Sequence, residues 1–169
     1  MRDPPGSRFL LAVSKPQTGI SQENIFMTNR GIDIKIGKQR GEWAELRFMT
    51  RAAEHGLSIT KPWGEMAHYD FAIEYQGHFL RVQVKSTMYK RRNSYLCNVR
   101  SSNGPYGDNQ IDFVAAYLIP KDLWYIIPAR AFRGKPNVYL SPHLKVSKYG
   151  RYQEAWHLLR AKPSKSHAK

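Results

Sequence analysis

Hydrophobic and polar positions change rhythm several times along the 169 residues. Residues 1–30 scatter single apolar side chains among Pro, Gly, Ser, Asn and Gln and follow neither the helical nor the strand period, which predicts a flexible arm. Residues 38–55 contain no proline, are rich in helix formers and stop at Gly56, a residue suited to the left-handed conformation that closes helices. They predict an α-helix. At about 100° per residue, Ala44, Leu46, Phe48, Met49, Ala52 and Ala53 form one apolar arc, opposite Arg47, Thr50, Arg51 and Glu54.

Past Gly56 the period shortens to that of strands. Residues 57–60 predict a short strand, 62–66 a loop, and 69–75 a strand with Phe71, Ile73 and Tyr75 on one face. Gln76-Gly77 supplies a tight turn. Residues 78–85 then place Leu80, Val82 and Val84 on the buried face and Phe79, Arg81, Gln83 and Lys85 on the other. Further strands are expected at 93–100, 111–119 and 124–128, with a loop over 101–109 and a connection through Pro120-Lys121-Asp122. Residues 152–159 read as a short amphipathic helix with Ala155, Trp156 and Leu159 along one side, and 161–169 as a basic disordered tail. The organisation expected is an α/β domain over 31–160, with a mixed β-sheet flanked by helices, between the arm and the tail.

Charge narrows the partners. Lys and Arg number 27 against 13 acidic residues, a net charge of +14, which is the electrostatic footprint of a polyphosphate binder. The longest apolar runs, 9–13 and 114–119, fall far short of the roughly 18 residues that span a bilayer, so no membrane role is expected. Cys97 is the sole cysteine, which removes disulfide scaffolds and cysteine-based zinc sites, and a cytoplasmic setting follows by default. The histidines at 55, 68, 78, 143, 157 and 167 show no ligand spacing; His68, close to Asp70, is read as a surface residue.

One residue contradicts the pattern of its own element. Glu45 falls in the middle of the helix's apolar arc, where an unpaired carboxylate costs several kcal/mol. Either Arg81 or water meets it, or it belongs to a site. The hairpin favours the site: with Tyr75 facing His78, Asp70 faces Gln83, and Lys85 lies about 7 Å further along the same face. Asp70, Gln83 and Lys85 therefore converge, and a helix packed over them adds Glu45. Two carboxylates with an amide oxygen, and the Val84 carbonyl as a further ligand, suit Mg²⁺. The ion activates water, Lys85 orients that water or stabilises the oxyanion, and Gln83 is a ligand or a water positioner. Glu42, Glu65, Glu74, Asp108 and Asp112 are spare acids, with Asp112 structural at a strand start.

Immediately after Lys85 the chain offers Tyr89, Lys90, Arg91, Arg92, Tyr95 and Arg100 with no acid among them. Interleaved basic and aromatic residues fit a loop that grips a nucleic-acid backbone. Lys145, Lys148, Arg151, Arg160, Lys162, Lys165 and Lys169 add either non-specific affinity or plain solubility.

Glu45 within Gly41-Glu42-Trp43-Ala44-Glu45, Asp70 within Tyr69-Asp70-Phe71, and Gln83-Val84-Lys85 together resemble the PD-(D/E)XK nuclease superfamily. Its signature is an acid on the first helix, an Asp at the start of the second core strand and an acid-x-Lys pair on the third. Gln83 stands where an acid is usual, which is similar to the variant found in cyanobacterial group I intron homing endonucleases, whose intervals are similar to the 25 and 13 residues here. The resemblance covers about residues 38–128. It implies a restriction-endonuclease-like core, Mg²⁺-dependent hydrolysis of DNA with Mn²⁺ as a possible substitute, Glu45 and Asp70 as metal ligands, and a homodimer. The rival readings are a non-catalytic nucleic-acid-binding protein with a degenerate nuclease fold and a Holliday-junction-type resolvase.

Overall fold

The computed structural model describes residues 34–160 apart from 65, 103 and 145; the arm expected over 1–30 and the tail over 161–169 lie outside the described residues. The first element is α1, Gly37–Glu54, matching the expected helix to within a residue at each end. It stops because Gly56 sits at φ +66°, and the amides of Gly56 and Leu57 turn back onto the carbonyls of Ala53 and Ala52.

Five strands form the main sheet: β1 (Ser58–Thr60), β2 (Phe71–Tyr75), β3 (His78–Thr87), β6 (Phe113–Leu118) and β7 (Leu123–Pro128), in the order β1-β2-β3-β6-β7. Only β3 and β6 run parallel; the other neighbours are antiparallel, so the sheet is mixed. The β2–β3 hairpin has the expected register, Tyr75 opposite His78 and Phe71 opposite Val82. Gln76 and Gly77 both carry positive φ, 51° and 75°, the turn geometry that matches strand twist. A parallel β3–β6 pair needs a crossover. Within it lie β4 (Lys90–Arg91) and β5 (Ser94–Asn98), and β8 (Asn137–Leu140) joins them in a second sheet of order β4-β5-β8.

The two faces of the main sheet bury different layers. Phe48 of α1 packs on Phe71, Trp124 and Trp156, with ring centroids 5.4–5.7 Å apart. By strand alternation the other face carries Val114, Ala116, Leu118, Tyr125 and Ile127, which meet Tyr95, Cys97, Val99, Val138 and Leu140 in one cluster. With both faces covered, β6 and β7 are apolar at nearly every position. Among the described residues this second layer is a small sheet, where the sequence suggested another helix. The expected helix over 152–159 is two 3₁₀ turns, Gly150–Tyr152 and Trp156–Arg160. Glu154 separates them at φ 48°, its carboxylate accepting from the Trp124 amide and from Trp156 Nε1. Ala155, Trp156 and Leu159 are buried as anticipated.

The apolar arc of α1 is narrower than its composition suggests. Ala44, Phe48 and Ala52 are buried, one residue per turn, whereas Leu46 is 63% exposed and Met49 38%. A helix that meets a sheet along one ridge covers only the i, i+4, i+8 row. The clamp that sets its rotation is Arg47, which donates to Asp122 at 2.8 Å across the β6–β7 connection, where the Tyr117 hydroxyl donates to the same oxygen. Glu45 is thus at the flank of the contact ridge, not in the middle of an apolar arc.

Candidate active site

Asp70 is the residue just before β2, and the way that strand begins makes the site. The Asp70 amide still donates to Val82 O at 3.0 Å, as a ladder partner would. The next amide on β3, Val84 N–H, finds its acceptor in the Asp70 carboxylate, at 2.7 Å from Oδ2. Gln83 Nε2 donates to that same oxygen, also at 2.7 Å, and lies 3.5 Å from Val84 O. Both donors converge on Oδ2, and among the described residues nothing donates to Oδ1.

These contacts fit an amide at position 83. Its NH₂ donates to Asp70 Oδ2, which an ionised carboxylate cannot do. Because only its NH₂ end can face an acceptor, Oε1 is left for water or a cation.

Burial pushes the Asp70 carboxyl up to about 6. The Val84 amide, the Lys85 charge and the Gln83 amide pull it down, and the Glu45 charge pushes it further up. Glu45 and Lys85 are therefore both close enough to act on Asp70, one from α1 and one from β3. Tyr106, on the loop after β5, faces the same charge: burial and Asp70 together raise its phenol. Tyr106 also lines a cleft of about 260 Å³ with Leu80, Asp112, Phe132 and Arg133; Asp70 and Glu45 are not among its lining residues.

Glu45 meets neither Arg81 nor bulk water alone. Lys61 Nζ lies 2.8 Å from Glu45 Oε2, and the Glu45 side chain is 24% exposed. Arg81 is engaged elsewhere, holding Asp112 through Nε and Nη2 at 3.0 Å each, with its own amide 2.7 Å from Oδ2. Asp112 is structural, as its position at a strand start suggested. Lys61 and Tyr106 were missed by sequence reasoning. A lysine between a strand end and a proline carries no pattern, and Tyr106 sits in a Gly/Ser/Asn-rich loop that reads only as a turn.

The basic residues divide. Lys90 and Arg91 form β4 and Arg92 its turn, at φ 54°; all three are exposed, as are Arg100 and Tyr89, the last at 63%. Tyr95 does not belong with them. It is 8% exposed in the cluster between the two sheets, because alternation along β5 turns Tyr95 and Cys97 inward.

The donor set suits a hard divalent cation. Asp70 and Glu45 offer carboxylate oxygens, and Val84 and Gln83 neutral carbonyls. Among the described residues no three His, Cys, Asp or Glu side chains cluster, so a tetrahedral zinc set is not offered. No helix among them is long and apolar enough to cross a membrane.

The fold is similar to the solved structure of a bacterial homing endonuclease, I-Ssp6803I, at 27% sequence identity and a TM-score of 0.65, over 75% of this chain and 93% of that one. Among curated proteins none matches the chain. Residues 36–159, which carry α1, both sheets and all four residues of the motif, match the family described as PD-(D/E)XK endonuclease. By that match the chain belongs to the PD-(D/E)XK endonuclease family.

Proposed function

We propose that this endonuclease hydrolyses DNA phosphodiester bonds with Mg²⁺, and that Glu45, Asp70, Gln83 and Lys85 carry the reaction. The single observation that supports this most is the convergence on Asp70. Two neutral donors fix its carboxylate, a lysine and a second carboxylate act on it, and among the described residues no cation forms an ion pair with it as Arg81 does with Asp112. Glu45, Asp70 and the Val84 carbonyl would hold the ion, with Mn²⁺ as a substitute. When bound, the ion supplies a more acidic water and neutralises charge at the phosphate.

The protein's own groups do the rest. Gln83 keeps Asp70 oriented through Nε2 and presents Oε1 to the attacking water. Water gives up a proton to solvent as its oxygen bonds to phosphorus, and the bond from phosphorus to one sugar oxygen breaks, that oxygen taking up a proton from solvent; negative charge grows on the phosphoryl oxygens between the two. The Lys85 ammonium is on the face where that charge develops and stabilises it. The exposed β4 turn with Arg91 and Arg92 grips the backbone nearby, within the pull of a net charge of +14. Each chain carries one set of these residues, so cutting both strands of a duplex calls for two copies, and we read the active form as a homodimer.

The test sets chemistry against binding. Wild type, Asp70→Ala and Lys85→Ala are incubated with supercoiled plasmid, linear duplex and a four-way junction, in Mg²⁺, in Mn²⁺ and in EDTA, beside gel-shift assays on the same DNA. Wild type is expected to cut in either metal and not in EDTA. Each variant should lose cleavage by at least about 10³-fold, while retaining affinity that resides mostly in backbone contacts elsewhere. If all three bind alike and none cuts any form, the reading fails and the protein is a binding module; preference for the junction would move the substrate to branched DNA.

A further inference from the structure

Lys61 is held at the rim of the site by its surroundings. It follows β1 and precedes Pro62, which restricts it to extended backbone, and its ammonium lies 5.6 Å above the ring of Phe71, the residue after Asp70. It reaches Glu45 at 2.8 Å, and the charges of Asp70 and Glu42 also act on it. Its one ion pair is with Glu45, and the other two carboxylates act on it only through their charge.

The two partners differ in fixity. The Glu45 side chain is 24% exposed on a helix clamped by Arg47, whereas that of Lys61 is 60% exposed on a four-carbon stem. The contact is a single point charge, unlike the forked Arg81–Asp112 pair. Exposed single contacts of this kind are readily exchanged. A divalent cation held by Glu45 and Asp70 would bring more charge to the same oxygens and would repel the ammonium, freeing it for a phosphate.

We propose that Lys61 is an interchangeable counter-ion: it occupies Glu45 while the site lacks a divalent cation, leaves when the cation binds, and then contacts a DNA phosphate beside the scissile one. This rests on the reading of Glu45 and Asp70 as ligands. Lys61 thereby couples the two ligands of the enzyme, because the cation releases a residue that grips the DNA.

Two measurements separate the steps. The first is Mn²⁺ affinity by calorimetry, without DNA, for wild type, Lys61→Met, Lys61→Arg and Asp70→Asn. Removal of the competing charge should tighten Mn²⁺ about 3- to 10-fold in Lys61→Met, while Lys61→Arg, which keeps the charge, should show no tightening and Asp70→Asn should bind at least about 10-fold more weakly. The second is duplex anisotropy against salt in a Lys85→Ala background, with and without Lys61→Met. In Mn²⁺ the slope of log affinity on log salt should fall by about one, since one phosphate is no longer neutralised, and in EDTA it should not change. Unchanged Mn²⁺ affinity in Lys61→Met beside weaker binding in Asp70→Asn would overturn the exchange and leave the metal site standing. Mn²⁺ affinity unaltered by either would overturn both. An equal change of slope in Mn²⁺ and EDTA would overturn the exchange by making Lys61 an ordinary phosphate ligand.

Discussion

Asp70 and Asp112 lie against the same face of β3, opposite neighbouring outward residues of that strand, and have contrary surroundings. Asp112 receives a forked guanidinium from Arg81 and the Arg81 backbone amide, so its charge is cancelled where it forms. Asp70 receives a neutral side-chain amide and a neutral backbone amide, with a second carboxylate acting on it from α1. Both are well bonded. Only Asp112 is in an ion pair; Asp70 is held by neutral donors, with the Lys85 charge acting on it without such a pair. Hydrogen-bond satisfaction and charge balance are distinct requirements, and the two aspartates separate them.

The sharpest way to break this comparison is to remove each charge in turn. Asp112→Ala strands the Arg81 guanidinium and one backbone amide in partly buried surroundings, and should cost about 2–4 kcal/mol of stability. Asp70→Asn keeps an acceptor for Val84 N–H while deleting a charge that burial disfavours, and should raise stability in EDTA at neutral pH. Thermal melts of both variants read the two signs. Destabilisation by both would mean that Asp70 is an ordinary structural aspartate.

Acid titration gives the next largest effect. The Asp70 carboxyl titrates at about 6 in the fold and near 3.9 in an unfolded chain. The folded state thus holds the proton more tightly, so stability is present at low pH and is lost as pH rises from about 4 through about 6. The decrease is at most about 3 kcal/mol and is complete above that window. Melting temperatures in EDTA between pH 4.5 and 7 should show this downward component in wild type and lack it in Asp70→Asn. Mg²⁺ should shrink it, because a cation favours the ionised form. Parallel pH curves for the two proteins would show that the carboxyl is not raised.

The same contrast marks what was legible in the sequence. Hairpin register is fixed by a turn and by alternation, so the meeting of Asp70 with Gln83 follows from Gln76-Gly77 and the apolar face of Leu80, Val82 and Val84. Helix phase brings Glu45 near them, but not because it sits amid buried apolar residues. An arc built from residue types takes no account of where the sheet lies, and Leu46 and Met49 are exposed because the sheet does not reach them. Partners distant in sequence were not legible. Charge pattern alone points Glu45 to Arg81, and only the fold shows Arg81 occupied by Asp112 and Lys61 supplied from the end of β1. β8 escapes the pattern because Asn137–Leu140 is four residues between Pro136 and Pro142, and its pairing with β5 spans some 40 residues. Proximity in sequence groups Tyr95 with its basic neighbours, whereas strand alternation, which placed the residues of β3 correctly, turns it inward on β5.

The smallest effect tests the cations outside the site. Arg81 shows what a neutralised arginine does: its charge is spent on Asp112 and contributes little field beyond the protein. Arg91 and Arg92 are exposed on the β4 turn, and Arg91 donates to a neutral oxygen, the Tyr139 hydroxyl, at 3.3 Å. Their charge remains available to a polyanion. Replacing both with Gln should weaken binding to every duplex alike and lower the salt slope by about one for each phosphate that the arginines neutralise, with the cleavage rate of bound DNA unchanged. Tyr95→Phe, which alters a buried ring by one hydroxyl, should leave binding and slope as they are. Affinity measured at several salt concentrations on unrelated duplexes distinguishes these outcomes. Weakening confined to one sequence would make the turn a base reader, and no weakening at all would make it a solvated surface, leaving DNA affinity to the remaining positive charge.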